Sequence, residues 1–202
     1  MLGLGSAYQA VRSGLSGGEV ANGPWRTSFV TGSVDADLYT RARVAVGGLL
    51  ALAPSETVYW NAEHDAEGRP LDARCDYRVT GSELPARWWS VTAYGADHFL
   101  IANDAGRYSF SQTTLAREPA GAWTVRVATQ PPTQGPLPTS GVTAGAPRSE
   151  AKPSEGANWL PSGRAGATGP FALTLRLYNP APEVYERPAS LALPRIEREA
   201  CR

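Results

Sequence analysis

"RWWSVTAYG", residues 87–95, alternates side chains in a two-residue period. A strand sends successive side chains to opposite faces, so Trp89, Val91 and Ala93 share one face, and Trp88, Ser90, Thr92 and Tyr94 share the other. A helix would repeat at 3.6 residues instead. The same period recurs outward from this stretch. Upstream, "ETVYWNAEH" (56–64) and "ARCDYRVTG" (73–81) flank "DAEGRPLD", where Gly68 and Pro70 supply turn chemistry. Residues 56–80 are therefore predicted to form a hairpin. Downstream, "HFLIAN" (98–103), "GRYSFSQ" (106–112), "AWTVRVAT" (122–129) and "FALTLRLY" (171–178) read as further strands. Short strands at this spacing predict a mainly β, jelly-roll-like sandwich.

One segment breaks the pattern. In "GSVDADLYTRARVAVGGLLALAPSE" (32–56), Leu38, Ala42, Ala45, Val46, Leu49 and Leu50 recur at helical spacing. This predicts a single N-terminal helix packed on the sandwich, capped by Ser33 or Asp35 and stopped at Pro54, whose nitrogen has no hydrogen to donate. Residues 1–28 begin small and apolar and turn Gly-rich; they read as a tether or the remnant of a membrane anchor, with a disordered tail as the equal alternative. The apolar run is shorter than the ~20 residues a membrane-spanning helix needs. Residues 29–202 form one domain on this reading. Within it, 130–157 is rich in Pro, Gly, Ser and Thr and poor in large apolar groups, which predicts a mobile surface loop.

Composition limits the function. Lys+Arg and Asp+Glu both total 19, so the formal net charge is zero and no basic stripe marks a nucleic-acid binder. The two histidines, His64 and His98, and two cysteines, Cys75 and Cys201, form no metal-ligand cluster, and no cofactor motif occurs. No G-x-S-x-G stretch lies between a predicted strand and a predicted helix, the setting a nucleophile elbow needs. His98 beside Asp97 reads as an exposed turn pair. Among the acids around the first turn, Asp65 and Asp72 are turn residues before they are catalysts, and the "DAEGRPLD" spacing is not that of a calcium-binding EF-hand loop. Cys75 shares an inward face with Tyr77 and Val79, while Cys201 is penultimate in the chain. A disulfide between them would tie down the C-terminal end, and it fits an extracytoplasmic, oxidising location.

Sorting by parity leaves an unusual face. In "FALTLRLY" the Phe/Leu set faces the core, and Thr174, Arg176 and Tyr178 face away. In "AWTVRVAT", Trp123, Val125 and Val127 face the core and Arg126 faces away. Two strands thus present aromatics, hydroxyls and one arginine together, a surface suited to a ligand if it is concave.

The phrases "LYTRARVAVGGLLAL", "ETVYWNAEHDAEGRPLD", "YRVTGSELPARWWSVTAYGADHFLIANDAGRYSFS", "NWLPSG" and "GPFALTLRLYNP" resemble, in combination, the bacterial family numbered 1214 among the domains of unknown function. The resemblance runs from about Leu38 to about Pro194. It implies a jelly-roll-like domain of the short type, which tends to carry an N-terminal membrane segment, and it brings no catalytic set. The chain departs from the family in a longer 130–157 loop and in extra Gly-rich residues between Gly163 and Pro170. The N-x-x-x-R-Y-S turn adds Asn103 and Arg107, and the N-W-L-P loop adds Asn158 and Trp159, to Trp88, Ser90, Tyr94, Arg176 and Tyr178 as candidate ligand-binding residues. Trp159 reads first as the anchor that pins the loop to the β body, and second as a stacking platform. The expected function is a non-catalytic module of the cell envelope, on the periplasmic side and membrane-anchored through its N-terminal segment. It would bind a glycan, a lipid headgroup or other amphiphilic small molecule, or a partner protein. The alternative is a hydrolase or lyase acting on an envelope metabolite, using Arg176 with Tyr94, Tyr178 or Asn103.

Overall fold

The computed structural model describes residues 19–46, 52–118, 121–132 and 158–202. Of these, 43% lie in strands and 10% in helices. The strands are β1 (Glu19–Asn22), β2 (Trp25–Ser28), β3 (Thr57–Ala62), β4 (Cys75–Gly81), β5 (Ala86–Gly95), β6 (Ser109–Ser111), β7 (Trp123–Ala128), β8 (Trp159–Pro161), β9 (Phe171–Pro180) and β10 (Arg195–Cys201). The helices are α1 (Leu38–Val46) and the single turn α2 (Glu183–Glu186), followed by a 3₁₀ turn at Pro188–Ser190. Six strands form one sheet in the order β1-β2-β3-β9-β5-β6, and four form the other, β10-β4-β7-β8. Neither sheet closes on itself. Over the described residues the fold is a mainly β sandwich with one N-terminal helix, α1.

Alternation explains the core. Val58, Trp60, Trp89, Val91, Leu173, Leu175 and Leu177 point inward from the larger sheet. Tyr77, Val79, Trp123, Val125, Val127 and Ile196 meet them from the smaller one. The Trp89 and Trp123 rings stack with centroids 4.9 Å apart and planes 29° apart, so one indole from each sheet fixes the spacing at the centre. Trp123 Nε1 donates to the Ser82 carbonyl at 2.8 Å. Gly81 lies opposite Trp123 in register, and a Cβ there would sit 2.3 Å from the indole Cζ2. Only glycine lets the backbone approach the ring this closely.

Several sequence expectations are corrected. Residues 56–80 do not make a hairpin: β3 pairs with β2 and β9, while β4 pairs with β10 and β7. The turn chemistry is real, since the chain reverses through the His64–Pro70 bridge and the Gly68 N–H donates to the Asp65 carbonyl at 3.0 Å. The chain then buries Leu71 completely and crosses to the other sheet, with the Ala73 N–H bonded to Gly169. "HFLIAN" is not a strand. His98 takes φ 64°, its N–H donates to the Gly95 carbonyl, and only the Tyr94–Leu100 bridge forms. The helix cap is Asp37, not Ser33 or Asp35: its Oδ1 accepts the N–H groups of Tyr39 and Thr40 at 2.8 and 3.0 Å. Leu38, expected in the apolar stripe, is 82% exposed, whereas Thr40 is buried. Leu49 and Leu50 lie outside the described residues.

The proposed tether contains ordered structure. Residues 19–28, expected to belong to it, form the β1–β2 ribbon on the edge of the larger sheet. Trp25 is fully buried and its Nε1 donates to the Pro194 carbonyl at 2.6 Å. Asn22 Nδ2 donates to the Pro188 and Leu191 carbonyls, which docks the ribbon on the C-terminal segment. Residues 1–18, and all but the first three residues of the expected 130–157 loop, lie outside the described residues.

The expected disulfide is present. Cys75 and Cys201 are register partners on β4 and β10, with Cα atoms 3.9 Å apart, inside the ~7 Å limit for bridging. Beside it, Asp76 Oδ2 accepts from Arg126 at 2.7 Å and from Arg202 at 2.9 Å, so the last residue of the chain is held by charge as well.

Candidate functional site

β9 lies between β3 and β5, and its outward side chains form the floor of a groove on the larger sheet. Register places Tyr59 on one side of Arg176 and Ser90 on the other; Thr174 lies between Asn61 and Thr92 in the same way. The Arg176 guanidinium is fixed from three directions. Its Nη2 donates to Tyr94 Oη at 2.7 Å and its Nη1 to Thr92 Oγ1 at 3.1 Å. Its Cζ sits 5.7 Å from the Tyr59 ring centroid and 5.4 Å from that of Tyr94, within cation–π range of both. Tyr59 Oη in turn accepts the Leu52 N–H at 3.1 Å. Asn61 Oδ1 accepts from Thr174 Oγ1 at 2.8 Å. Trp88 and Tyr178, also register partners, hold their rings 5.0 Å apart at 59°.

The groove encloses about 1580 Å³. It runs from the β1–β2 turn and the Thr40–Val44 side of α1, across Tyr59, Thr174 and Arg176, to the Tyr94–His98 turn and Pro170. Among the described residues no carboxylate lies in ion-pair distance of Arg176, although most other arginines have one or donate to backbone carbonyls. Arg69 pairs with Asp65 and Glu67, Arg74 with Asp72, Arg117 with Glu83, and Arg198 with Asp65.

Those pairings also account for the acids near the first turn. Asp65 is fully buried: burial pulls its carboxyl upward, but the Arg69 N–H and guanidinium, with Arg198, outweigh it and hold the pKa below the usual carboxylate range. The Arg74 guanidinium and N–H, helped by the Gly169 N–H, lower Asp72 to about 2. Burial raises the Tyr77 phenol, whose oxygen accepts the Asp72 N–H at 2.8 Å. These groups bolt the crossover to the sandwich. No group of three His, Cys, Asp or Glu among the described residues could hold a metal ion.

Five of the nine candidate ligand-binding residues, Trp88, Ser90, Tyr94, Arg176 and Tyr178, share the outer face of β5 and β9. The other four lie away from it and have structural partners. Asn103 closes its own turn, donating to the Ile101 and Arg107 carbonyls and accepting the Arg107 N–H. Arg107 Nη1 donates to the Trp159 carbonyl at 2.9 Å. Asn158 bonds backbone at Ala116 and Thr124, and Trp159 Nε1 donates to the Ala128 carbonyl at 2.9 Å. Trp159 is thus tied to the β body, its first reading. Tyr59 and Asn61 complete the site and were not among the candidates. Their parity in "TVYWNA" sets them outward, but only the pairing of β3 with β9 brings them to Arg176.

The family described as "Protein of unknown function (DUF1214)" matches residues 56–144 and 141–182, from β3 to the end of β9, a narrower span than the sequence phrases suggested. The chain belongs to this family. No curated protein matches it. Among solved structures, the crystal structure of the VPA0106 protein from Vibrio parahaemolyticus aligns over 82% of this chain with a TM-score of 0.58 and 22% identity. That likeness is one of fold. A putative uncharacterized protein from Burkholderia cenocepacia aligns with a TM-score of 0.42 and 18% identity. The chain spans 36% of the first protein and 42% of the second.

Proposed function

We propose that this DUF1214 domain is a non-catalytic binding module of the cell envelope, and that it takes its ligand in the aromatic-polar groove of the larger sheet. The observation that carries the reading is the state of Arg176. The residue is held by two hydroxyls and flanked by two tyrosine rings, with no carboxylate among the described residues to neutralise it. A guanidinium so placed is pre-organised, which lowers the ordering cost of binding a ligand that carries an acceptor pair. Glycans, lipid headgroups and acidic segments of a partner protein all carry such groups.

The enzymatic alternative has less behind it. Asn103 is occupied in its own turn, and Asp65 and Asp72 near the crossover are held in ion pairs. The disulfide supports an oxidising, extracytoplasmic location. Membrane attachment through the N-terminal residues is part of the proposal and rests on their apolar start. Among the described residues no helix is long and apolar enough to cross a membrane.

The test is a binding panel of neutral and acidic oligosaccharides, anionic and zwitterionic vesicles and acidic peptides, run with the wild type and Arg176→Ala. Binding by at least one class, lost in the folded variant and accompanied by no turnover on long incubation, is the expected result. Turnover, or binding that Arg176→Ala leaves untouched, would overturn it.

A further inference from the structure

We infer that the groove's ligand is a carboxylate-bearing oligosaccharide, with Arg176 anchoring one carboxylate; this rests on the binding-face reading above. Size is the first argument. At about 1580 Å³ the groove exceeds the roughly 300–1,000 Å³ of ordinary small-molecule pockets, and it opens along the sheet from the β1–β2 turn to the Tyr94–His98 turn. An extended chain of several units fills such a space better than one compact molecule.

Charge is the second. Among the described residues, Thr92 and Tyr94 take one N–H from each terminal nitrogen of Arg176, which leaves the rest of the planar fork for a ligand. A fork meets a carboxylate with two parallel bonds. A phosphate is usually met by several cations or by a run of backbone N–H groups. The other arginine lining the groove, Arg26, already donates to the Gly23 and Trp25 carbonyls at 2.7 and 2.9 Å. Glu19, Glu63 and the ion-paired Asp65 also line the groove and oppose a densely charged polyanion. One carboxylate per binding position fits; a phosphate cluster does not.

The floor is the third. Beside Arg176, Asn61 accepts from Thr174, and its amide N–H groups have no acceptor among the described residues, which leaves them for a ligand oxygen. The Tyr59 and Tyr178 side chains add aromatic surface to the lining of the same groove. A sugar ring presents hydroxyls at its edge and C–H bonds on its faces, which matches this alternation of amide, hydroxyl and aromatic surface better than an acyl chain or a helix would.

Calorimetric titration of the full chain with oligogalacturonides, oligomannuronates and oligoglucuronates, each against its methyl ester, tests the inference. At least one acid should bind, and its ester should bind about tenfold or more weakly, because a charge-assisted pair is lost. Arg176→Lys, which keeps the charge but not the fork, should lose affinity for the acid and most of its preference over the ester. Asn61→Ala should weaken both several-fold and keep the preference. Equal binding of acid and ester, both weakened by Asn61→Ala, would overturn the carboxylate assignment and leave the binding face standing. Binding of anionic vesicles without any oligosaccharide would overturn it in favour of a headgroup. Binding by no acid, ester or vesicle would remove the inference and count against the binding-face reading too. Circular dichroism of each variant separates lost binding from lost fold.

Discussion

Asn158 and Ala116 exchange hydrogen bonds as two paired strand residues would. The Ala116 N–H donates to Asn158 Oδ1 at 2.9 Å, and Asn158 Nδ2 donates back to the Ala116 carbonyl at 2.7 Å. The same Nδ2 reaches the Thr124 carbonyl at 2.9 Å. One side chain therefore satisfies backbone groups of the 112–118 loop and of β7 at the entrance to β8. Asn158→Ala should cost about 2–3 kcal/mol, the penalty for leaving buried backbone groups unpaired. Asn158→Asp should be worse at neutral pH, because a carboxylate would face two carbonyl oxygens, and should recover partly in acid. Urea denaturation at two pH values measures both.

Gly81→Ala tests the contact between the sheets. The new Cβ would fall 2.3 Å from the Trp123 ring, whose position is fixed by its stack on Trp89 and its bond to Ser82. The expected loss is about 1–3 kcal/mol, as for other overpacked cores. Trp123→Leu should relieve the clash, so the double variant should lose less than the sum of the two single ones.

Acid should weaken the fold through the crossover. Asp72 has an ordinary carboxyl pKa of 3.8 unfolded and about 2 folded, and its side chain is 21% exposed. A folded pKa below the unfolded one adds stability that is complete above about pH 4 and disappears as the pH falls through about 2, an effect of about 2 kcal/mol. Asp65 shifts in the same direction. Denaturation midpoints measured between pH 6 and pH 2 should fall along this limb, and Asp72→Asn should flatten it.

How much of this could be read in the sequence differs by scale. Alternation within one strand is local, so the inward Trp89–Val91–Ala93 and Leu173–Leu175–Leu177 sets, and the outward Ser90 and Arg176, could be sorted without knowing any partner. Their convergence followed because β5 and β9 pair in register with like faces together. Pairing itself is long-range. Tyr59 finds Arg176 more than a hundred residues away, and nothing near Gly68 or Pro70 indicates that β4 leaves for the other sheet. The Asp37 cap was obscured by Ser33 and Asp35, which have the same capping chemistry nearby. An asparagine in an N-W-L-P loop reads alike whether it will meet a ligand or a neighbouring backbone; Asn158 meets backbone. The large sheet's edge is hidden for a related reason: "EVANGPWRTS" is Gly- and Pro-interrupted, and the acceptor for the Trp25 indole lies far away in sequence, at Pro194.

Arg176→Ala should separate function from folding. The residue is partly exposed on the outer face, and no buried carboxylate among the described residues depends on it. Removing it leaves Tyr94 Oη on the groove wall, free to bond solvent, and takes one hydrogen bond from the buried Thr92, so the expected stability loss is about 1 kcal/mol. A much larger loss would make Arg176 a structural clasp for Thr92 and Tyr94.

Reduction should loosen the C-terminal strand first. The Cys75–Cys201 bridge spans 126 residues of sequence. In the chain-entropy account a loop of this length contributes about 5 kcal/mol, and removing a native bridge typically costs 2–5 kcal/mol. Cys201 is exposed at the edge of the smaller sheet, so a reductant can reach it. Once the bridge opens, β10 keeps its ladder with β4 and the Arg202–Asp76 ion pair. Loss should therefore begin at residues 199–202, before Ile196, which is fully buried in the core. Hydrogen exchange of the reduced protein should show faster exchange at the end of β10 and at the facing start of β4, with β9 and β5 unchanged. Cys75→Ser with Cys201→Ser should reproduce that pattern under oxidising conditions. Uniform acceleration across both sheets would instead mean that the bridge holds the whole sandwich, and then reduced protein should fail to bind in the groove as well.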